Sequence, residues 1–375
     1  MKHTLLFLLL LFGQMLLAGT DYTLTMNYQN TNRDFIVYLP NGYTQGSHLP
    51  VVFNLHGYTS NASQQIFYSK MYITADSNNF IMVAPNGLNN SWNAGFTPPY
   101  NSFPDDVGFI SKIIDTLYQL YNIDLTRVYA CGMSNGGFLS YRLACDLENR
   151  IAAIASVTGS ISTLTATNCV LSRKVPVLQI HGTVDPLVDY NGATGYYGIE
   201  QAIDFWRTKN QCSQTNDTVL VADINTADSS TVQQIRYRSC GDGTEVWFFK
   251  IIGGGHSWPQ APIEYIYGPT NKDIDASQEI WDFFKKFTLN GPAGIAQEAT
   301  PVTLTVFPNP AANYLSIECS AKIEKVEIWN TAGEKLQEQN NQTTWKIPLA
   351  EMPAGIYLLK ADGYNFSVTK RFIKE

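Results

Sequence analysis

From Pro50 onward, short β-branched runs alternate with segments of helical period, and this alternation narrows the possible folds more than any other feature of the chain. A helix between two strands returns the second strand parallel to the first. Repetition of the pattern therefore predicts an α/β fold with a mostly parallel central sheet covered by helices. The predicted strands are Val51 to Leu55 and residues 80–84, 127–130, 151–157, 175–180 and 245–252. Val107, Ile110, Ile113, Ile114, Leu117 and Tyr121 recur at steps of three and four, which predicts a helix with one buried face, capped by Asp105 or Asp106. A last helix is expected after Asp275, with Gln278 at its third position and Ile280, Phe283, Phe284 and Phe287 as its apolar stripe. Hydrophobic residues make up 45% of the 375 and charged residues 15%, enough apolar surface for a sizeable core.

Residues 1–18 join a basic Lys2, an unbroken apolar run from Leu5 to Phe12 and a small Ala18, the pattern of a cleaved signal peptide. That run is too short for a membrane anchor, which takes about 20 residues. The chain is therefore expected to be exported, with its large α/β domain over 21–290. Asn290-Gly291-Pro292-Ala293-Gly294 breaks any helix and opens an expected linker over 291–300. Residues 301–375 carry short alternating runs joined by Gly, Pro and Asn turns, which predicts a small all-β sandwich.

A net charge of −7 with no basic run argues against a nucleic-acid partner, since phosphate binding needs a basic face. The six cysteines show no C-x-x-C spacing, so a zinc site is not expected. Export permits disulfides, and Cys145 with Cys169 and Cys212 with Cys240 are the preferred pairs, although spacing alone does not fix connectivity. Cys131 follows an apolar run and is expected to be a buried thiol. There is no H-E-x-x-H, EF-hand or phosphate loop, so neither metal nor organic cofactor is expected.

Gly132-Met133-Ser134-Asn135-Gly136 is a G-x-S-x-G string between a predicted strand and a predicted helix. In that context the glycines admit a sharp turn that exposes the serine hydroxyl. A serine needs an adjacent base to act as a nucleophile at neutral pH. His3 leaves with the signal peptide, His48 stands in a loop before the first core strand, and His56 and His181 sit in His-Gly pairs at strand ends. His256 remains, after three glycines that let a loop at the sheet's carboxyl edge fold back. The acid that orients it is expected to be Asp185, with Asp189 as the alternative. Oxyanion donors are expected from the backbone N–H groups of Asn135 and Tyr58. Trp92 and Trp258 lie near these motifs and are candidate substrate-binding residues.

Leu55-His56-Gly57-Tyr58, Asp105-Asp106-Val107-Gly108-Phe109, the serine motif, His181-Gly182-Thr183-Val184-Asp185-Pro186 and Gly254-Gly255-His256-Ser257-Trp258-Pro259 together resemble the feruloyl esterase and polyhydroxybutyrate depolymerase family of the α/β-hydrolase superfamily. The resemblance runs from about Leu49 to Pro259. It implies Ser134 as nucleophile, Asp185 as acid, His256 as base and Tyr58 at the oxyanion position. Many members have cysteine where Tyr58 stands, a departure that leaves a backbone contact intact. In the tail, Phe307-Pro308-Asn309-Pro310, the stretch from Ile328 to Gly333, Met352-Pro353-Ala354-Gly355-Ile356-Tyr357 and Lys370-Arg371-Phe372-Ile373-Lys374 resemble the sorting domain of the type IX secretion system. The resemblances imply a secreted ester hydrolase, extracellular or at the outer cell surface, with the secretion machinery as a partner. Its expected substrate is a feruloyl or acetyl ester on xylan; polyhydroxybutyrate is the alternative within enzymes. A non-catalytic carbohydrate binder is the alternative of another class, and a carbohydrate-binding module is the alternative for the tail.

Overall fold

The computed structural model describes residues 19–97, 100, 103–264, 266–289, 291–292, 304–320, 322–330, 334–340, 342, 344–363 and 366–375. The expected signal peptide, most of the expected linker and Gly333 lie outside the described residues. The chain divides into two compact units between residues 293 and 294.

Along the first unit run β1 (Thr20–Tyr28), β2 (Thr31–Leu39), β3 (Val51–Leu55), α1 (Ala62–Ser69), α2 (Met71–Asn78), β4 (Ile81–Pro85), α3 (Asp106–Tyr121), β5 (Val128–Met133) and α4 (Asn135–Asp146). There follow β6 (Ala153–Val157), α5 (Thr163–Asn168), β7 (Val177–Gly182), α6 (Ile199–Lys209), β8 (Asp217–Leu220), β9 (Thr231–Tyr237), β10 (Val246–Ile252), α7 (Ala276–Phe284) and the short pair β11 (Phe287–Thr288) and β12 (Gly291–Pro292). Ten strands form one sheet in the order β1-β2-β4-β3-β5-β6-β7-β10-β9-β8. The six from β4 to β10 in that order are parallel, and antiparallel strands close both sides. Every residue of β3, β4, β5, β6 and β7 is buried. That is why these strands read as continuous apolar runs: helices cover both faces, and no strand position is left for water.

One face is filled by Phe109, Ile113 and Leu117 of α3, Leu139 and Leu143 of α4, and Ile203 and Trp206 of α6. The opposite face packs Ile280, Phe283 and Phe284 of α7 with Met71 and Ala75 of α2. Asp105 caps α3 by accepting from Gly108 N, and Asp275 caps α7 by accepting from Ser277 N and Gln278 N. Phe287 does not belong to the α7 stripe as expected. The helix ends at Phe284, and Phe287 enters β11, where it is still buried. Both preferred disulfides are present, Cys145–Cys169 and Cys212–Cys240, and Cys131 is a buried free thiol. Among the described residues no helix is long and apolar enough to cross a membrane.

The second unit contains β13 (Leu304–Phe307), β14 (Tyr314–Cys319), β15 (Lys325–Asn330), β16 (Lys335–Asn340), β17 (Lys346–Pro348), β18 (Gly355–Gly363) and β19 (Phe366–Lys374). They form two antiparallel sheets, β13-β14-β17 and β16-β15-β18-β19. Leu315 and Ile347 from the first share one core with Val326, Ile328, Leu359 and Phe372 from the second, which makes the unit a small sandwich.

Candidate active site

The parallel strands all present their carboxyl ends to one edge of the sheet, and the serine motif begins there. Strand β5 extends through Met133, beyond the expected residue 130, so Ser134 follows the strand directly. Its φ of 55° and ψ of −119° lie where an L-residue is strained, at a cost of about 1–3 kcal/mol. The turn can be this tight because the next element comes very close. A Cβ on Gly136 would collide with Leu55 O and come within 2.7 Å of His56 O. Ser134 itself is only partly buried, and its N–H donates to Val157 O at 2.8 Å, which ties the turn to the end of β6.

Bonds of the same kind knit the neighbouring loops together beyond the strand ends. Thr158 N donates to Ile180 O, Thr183 N to Ile251 O, and Val184 N to Gly254 O. Gly182 ends β7 so close to the glycine turn after β10 that a Cβ there would overlap the Gly254 carbonyl. This close approach brings the β7 and β10 loops together. His256 Nδ1 lies 2.8 Å from Asp185 Oδ2, with the carboxylate fully buried and the imidazole nearly so. Oδ1 accepts from Leu187 N at 2.8 Å and Val188 N at 2.9 Å. Burial pushes the Asp185 pKa up. The hydrogen bond from His256 and the electrostatic pull of the His256 and His181 imidazoles outweigh it, leaving the carboxyl below its ordinary value. Asp189, the alternative, is exposed and accepts from Asn191 N. Because Nδ1–H donates to Asp185, the neutral His256 ring presents an unprotonated Nε2.

The turn after β3 lies against the nucleophile: a Cβ on Gly57 would stand 3.5 Å from Ser134 Cβ. His56 is buried at its start. Its Nδ1 lies 2.7 Å from Gly57 O and its Nε2 accepts from Gly87 N at 3.0 Å, so Nδ1 carries the proton and burial keeps the ring neutral. In a trans peptide C=O and N–H point opposite ways, so the pull of His56 on Gly57 O turns the Tyr58 N–H away from the imidazole. That N–H meets no acceptor among the described residues. The Asn135 N–H, first in α4, has no intrahelical carbonyl to bond either, and stands at the positive end of the helix.

The two tryptophans do not take the expected role. Trp258 is wholly buried and donates to Ser277 Oγ, because its ring belongs to the core beneath α7. Trp92 is 4% exposed and acts as a brace: its N–H donates to Asn135 Oδ1 at 2.7 Å and its Nε1 to His56 O at 2.9 Å. Sequence reasoning passed over Phe96 and Tyr196. Phe96 is 43% exposed and meets Phe138 edge-on at 4.7 Å, and Tyr196 meets Phe138 at 5.5 Å. Phe138 N donates to Ser134 O, so this aromatic group begins one helical turn from the nucleophile. On the side of the oxyanion turn, Thr59 N donates to Asn90 O. There a hollow of about 550 Å³ is lined by the amides of Asn61, Gln64, Asn86, Asn89 and Asn90 together with Arg33 and Asp34. Among the described residues no group of three or more His, Cys, Asp or Glu side chains is placed to hold a metal ion.

Residues 44–215 match the phospholipase/carboxylesterase family, and residues 305–375 match the secretion system C-terminal sorting domain. The first of these matches lies within the first unit of the protein. The chain is 28% identical over 287 residues to a bifunctional acetylxylan esterase/xylanase of Neocallimastix patriciarum, across 76% of this chain and 38% of that protein. It is 27% identical over 266 residues to feruloyl esterase B of Piromyces equi, across 68% of this chain and 46% of that one. With feruloyl esterase D of Neurospora crassa it shares 26% over 277 residues, across 71% of this chain and 86% of the relative. The chain thus spans less than half the length of the first two relatives. Among solved structures, the chain is similar to an acetyl xylan esterase from Aspergillus awamori (TM-score 0.47, 14% identity, 63% of this chain and 94% of that one). It is also similar to a ferulic acid esterase from Anaeromyces mucronatus (TM-score 0.47, 15% identity, 72% and 91%).

Proposed function

We propose that the chain is a secreted serine carboxylic-ester hydrolase that removes feruloyl or acetyl groups from plant cell-wall xylan through an acyl-enzyme. The observation that carries this reading is the Asp185–His256 bond at the same sheet edge as a strained, partly open Ser134. In the first step Ser134 Oγ adds to the ester carbonyl while His256 Nε2 takes the hydroxyl proton. Asp185 stabilises the imidazolium that forms. The carbonyl oxygen becomes an oxyanion, which accepts from Tyr58 N–H and Asn135 N–H. Collapse breaks the bond to the alcohol, which leaves with the proton from His256 and yields the acyl-serine. Water, deprotonated by His256, then adds to the acyl carbon, and Ser134 leaves with that proton to release the acid.

The relatives named as acetylxylan and feruloyl esterases support this substrate class. So does the site: the partly exposed aromatic group of Phe96 and Tyr196 suits a phenolic acyl group, and the polar hollow suits the hydroxyls of a sugar chain. Residues 305–375 supply the address for the type IX machinery, and residues 1–18 the signal for the first export step. A panel of methyl ferulate, acetylated xylan and a hydroxybutyrate trimer tests the reading. Faster cleavage of methyl ferulate or acetylated xylan is expected. Preference for the trimer would replace the xylan reading with polymer depolymerisation, and no turnover of any ester would favour a carbohydrate binder.

A further inference from the structure

Beside the reacting groups lies a buried histidine that the hydrolytic steps do not use. His181 of β7 is wholly buried, and its Nε2 lies 3.4 Å from Asp185 Oδ2 and 2.9 Å from Val188 O. Its Nδ1 lies 3.1 Å from Gln179 Nε2. A carbonyl only accepts and an amide NH₂ only donates, so Nε2 carries the proton and Nδ1 is the acceptor. Gln179 cannot turn its amide over to reverse this. Its Oε1 accepts from the Tyr141 hydroxyl at 2.7 Å, and its Nε2 donates to Gly159 O at 2.9 Å. After a flip, the amide oxygen would face that carbonyl. Burial holds the His181 pKa below its ordinary value in spite of Asp185, so the ring stays neutral in this single tautomer. Asp185 and His256 are the titratable groups that face it; the Tyr190 ring packs 6.2 Å away, and Tyr141 reaches it through Gln179.

We propose that Gln179 and His181 position Asp185: the His181 Nε2–H donates to Val188 O and stands 3.4 Å from Asp185 Oδ2, the oxygen that also receives His256 Nδ1. This deepens the assignment of Asp185 as the orienting acid and rests on it. The turn from Asp185 to Val188 is then clamped from two sides. Leu187 N and Val188 N hold Oδ1, while His181 holds the Val188 carbonyl and borders Oδ2. With Oδ1 and the Val188 carbonyl held, the turn keeps Oδ2 in one orientation toward His256.

The test compares His181→Gln, His181→Asn and His181→Phe in the full chain, with Asp185→Asn in parallel. Glutamine keeps a donor where Nε2 stands, asparagine keeps only an acceptor near Nδ1, and phenylalanine keeps only the ring shape. Two readouts are needed: kcat and KM on 4-nitrophenyl acetate, and the far-downfield proton resonance of His256 Nδ1–H. The glutamine variant should stay within about threefold of the parent kcat. The other two should lose roughly tenfold to a hundredfold in kcat at unchanged KM and shift the resonance, since small misplacements in a catalytic group cost about this much. Should those two fail to fold, Gln179→Leu frees the tautomer with His181 in place and is expected to lose about tenfold in kcat. Folded His181→Phe with parent kcat and an unmoved resonance would overturn the proposal. Full activity of Asp185→Asn would be a different failure, removing the acid itself and the proposal with it.

Discussion

Ser134 keeps a backbone conformation that an ordinary turn serine would relax out of, and its neighbours are arranged to hold it there. If it is the nucleophile, Ser134→Ala should lower kcat on the order of a million-fold while the variant stays folded. Asp185→Asn should cost on the order of ten-thousand-fold, because an amide presents the wrong partner to His256 Nδ1. Asp189→Asn should leave the rate nearly unchanged; kcat on a soluble ester checks all three, and a large loss at Asp189 would move the acid role there. His56 and His181 give a pH prediction. Burial lowers both pKa values, so below about pH 6.5 the unfolded chain takes up protons that the folded chain refuses. Their contribution to stability is complete above about pH 6.5 and is lost as pH falls. Asp185, also lowered, adds a loss in the same direction, setting in nearer its unfolded value of about 3.9. The Tm should therefore be level near neutrality and decline on acidification; a Tm that rises between pH 7 and 5 would contradict this.

At the scale of elements, the parallel strands were the most legible part of the sequence, because burial on both faces leaves unbroken apolar runs such as Val51–Leu55. The hairpin of β1 and β2 was not legible: β1 is largely exposed and rich in threonine and tyrosine, and its turn at Gln29 and Asn30 lacks a glycine signal. Strand β8 is exposed throughout and carries no apolar pattern. Of the site, Ser134, Asp185 and His256 could be named from strand ends and loop glycines. The roles of His56, His181 and Trp92 could not, since they lie in hydrogen bonds that no local spacing encodes. Trp258 misled for a related reason, since nearness in sequence to His256 says nothing about which way a ring faces. The contact between α4 and β3 yields a test at this scale. Gly136→Ala would drive a methyl group into the Leu55 carbonyl, so it should cost about 1–3 kcal/mol in urea unfolding and lower kcat as α4 moves off the turn. Parent stability and kcat would show that the close approach is not required.

For the whole molecule, each residue given a role in hydrolysis belongs to the first unit, and the second has its own core. Deleting the chain from about residue 300 should therefore leave kcat and KM on small soluble esters unchanged in the purified enzyme. In a host with the type IX machinery the shortened protein should accumulate in the periplasm. Normal delivery, or a large loss of rate on small esters, would contradict the assignment of the tail as an address. A loss confined to binding of insoluble xylan would instead make it a binding module. The central claim, that an activated Ser134 forms a covalent acyl intermediate, is tested most directly by treating the full chain with a fluorophosphonate and mapping the adduct by peptide mass. The account predicts one adduct on Ser134, formed far more slowly in His256→Ala; no adduct at Ser134, or equal labelling without His256, would contradict it.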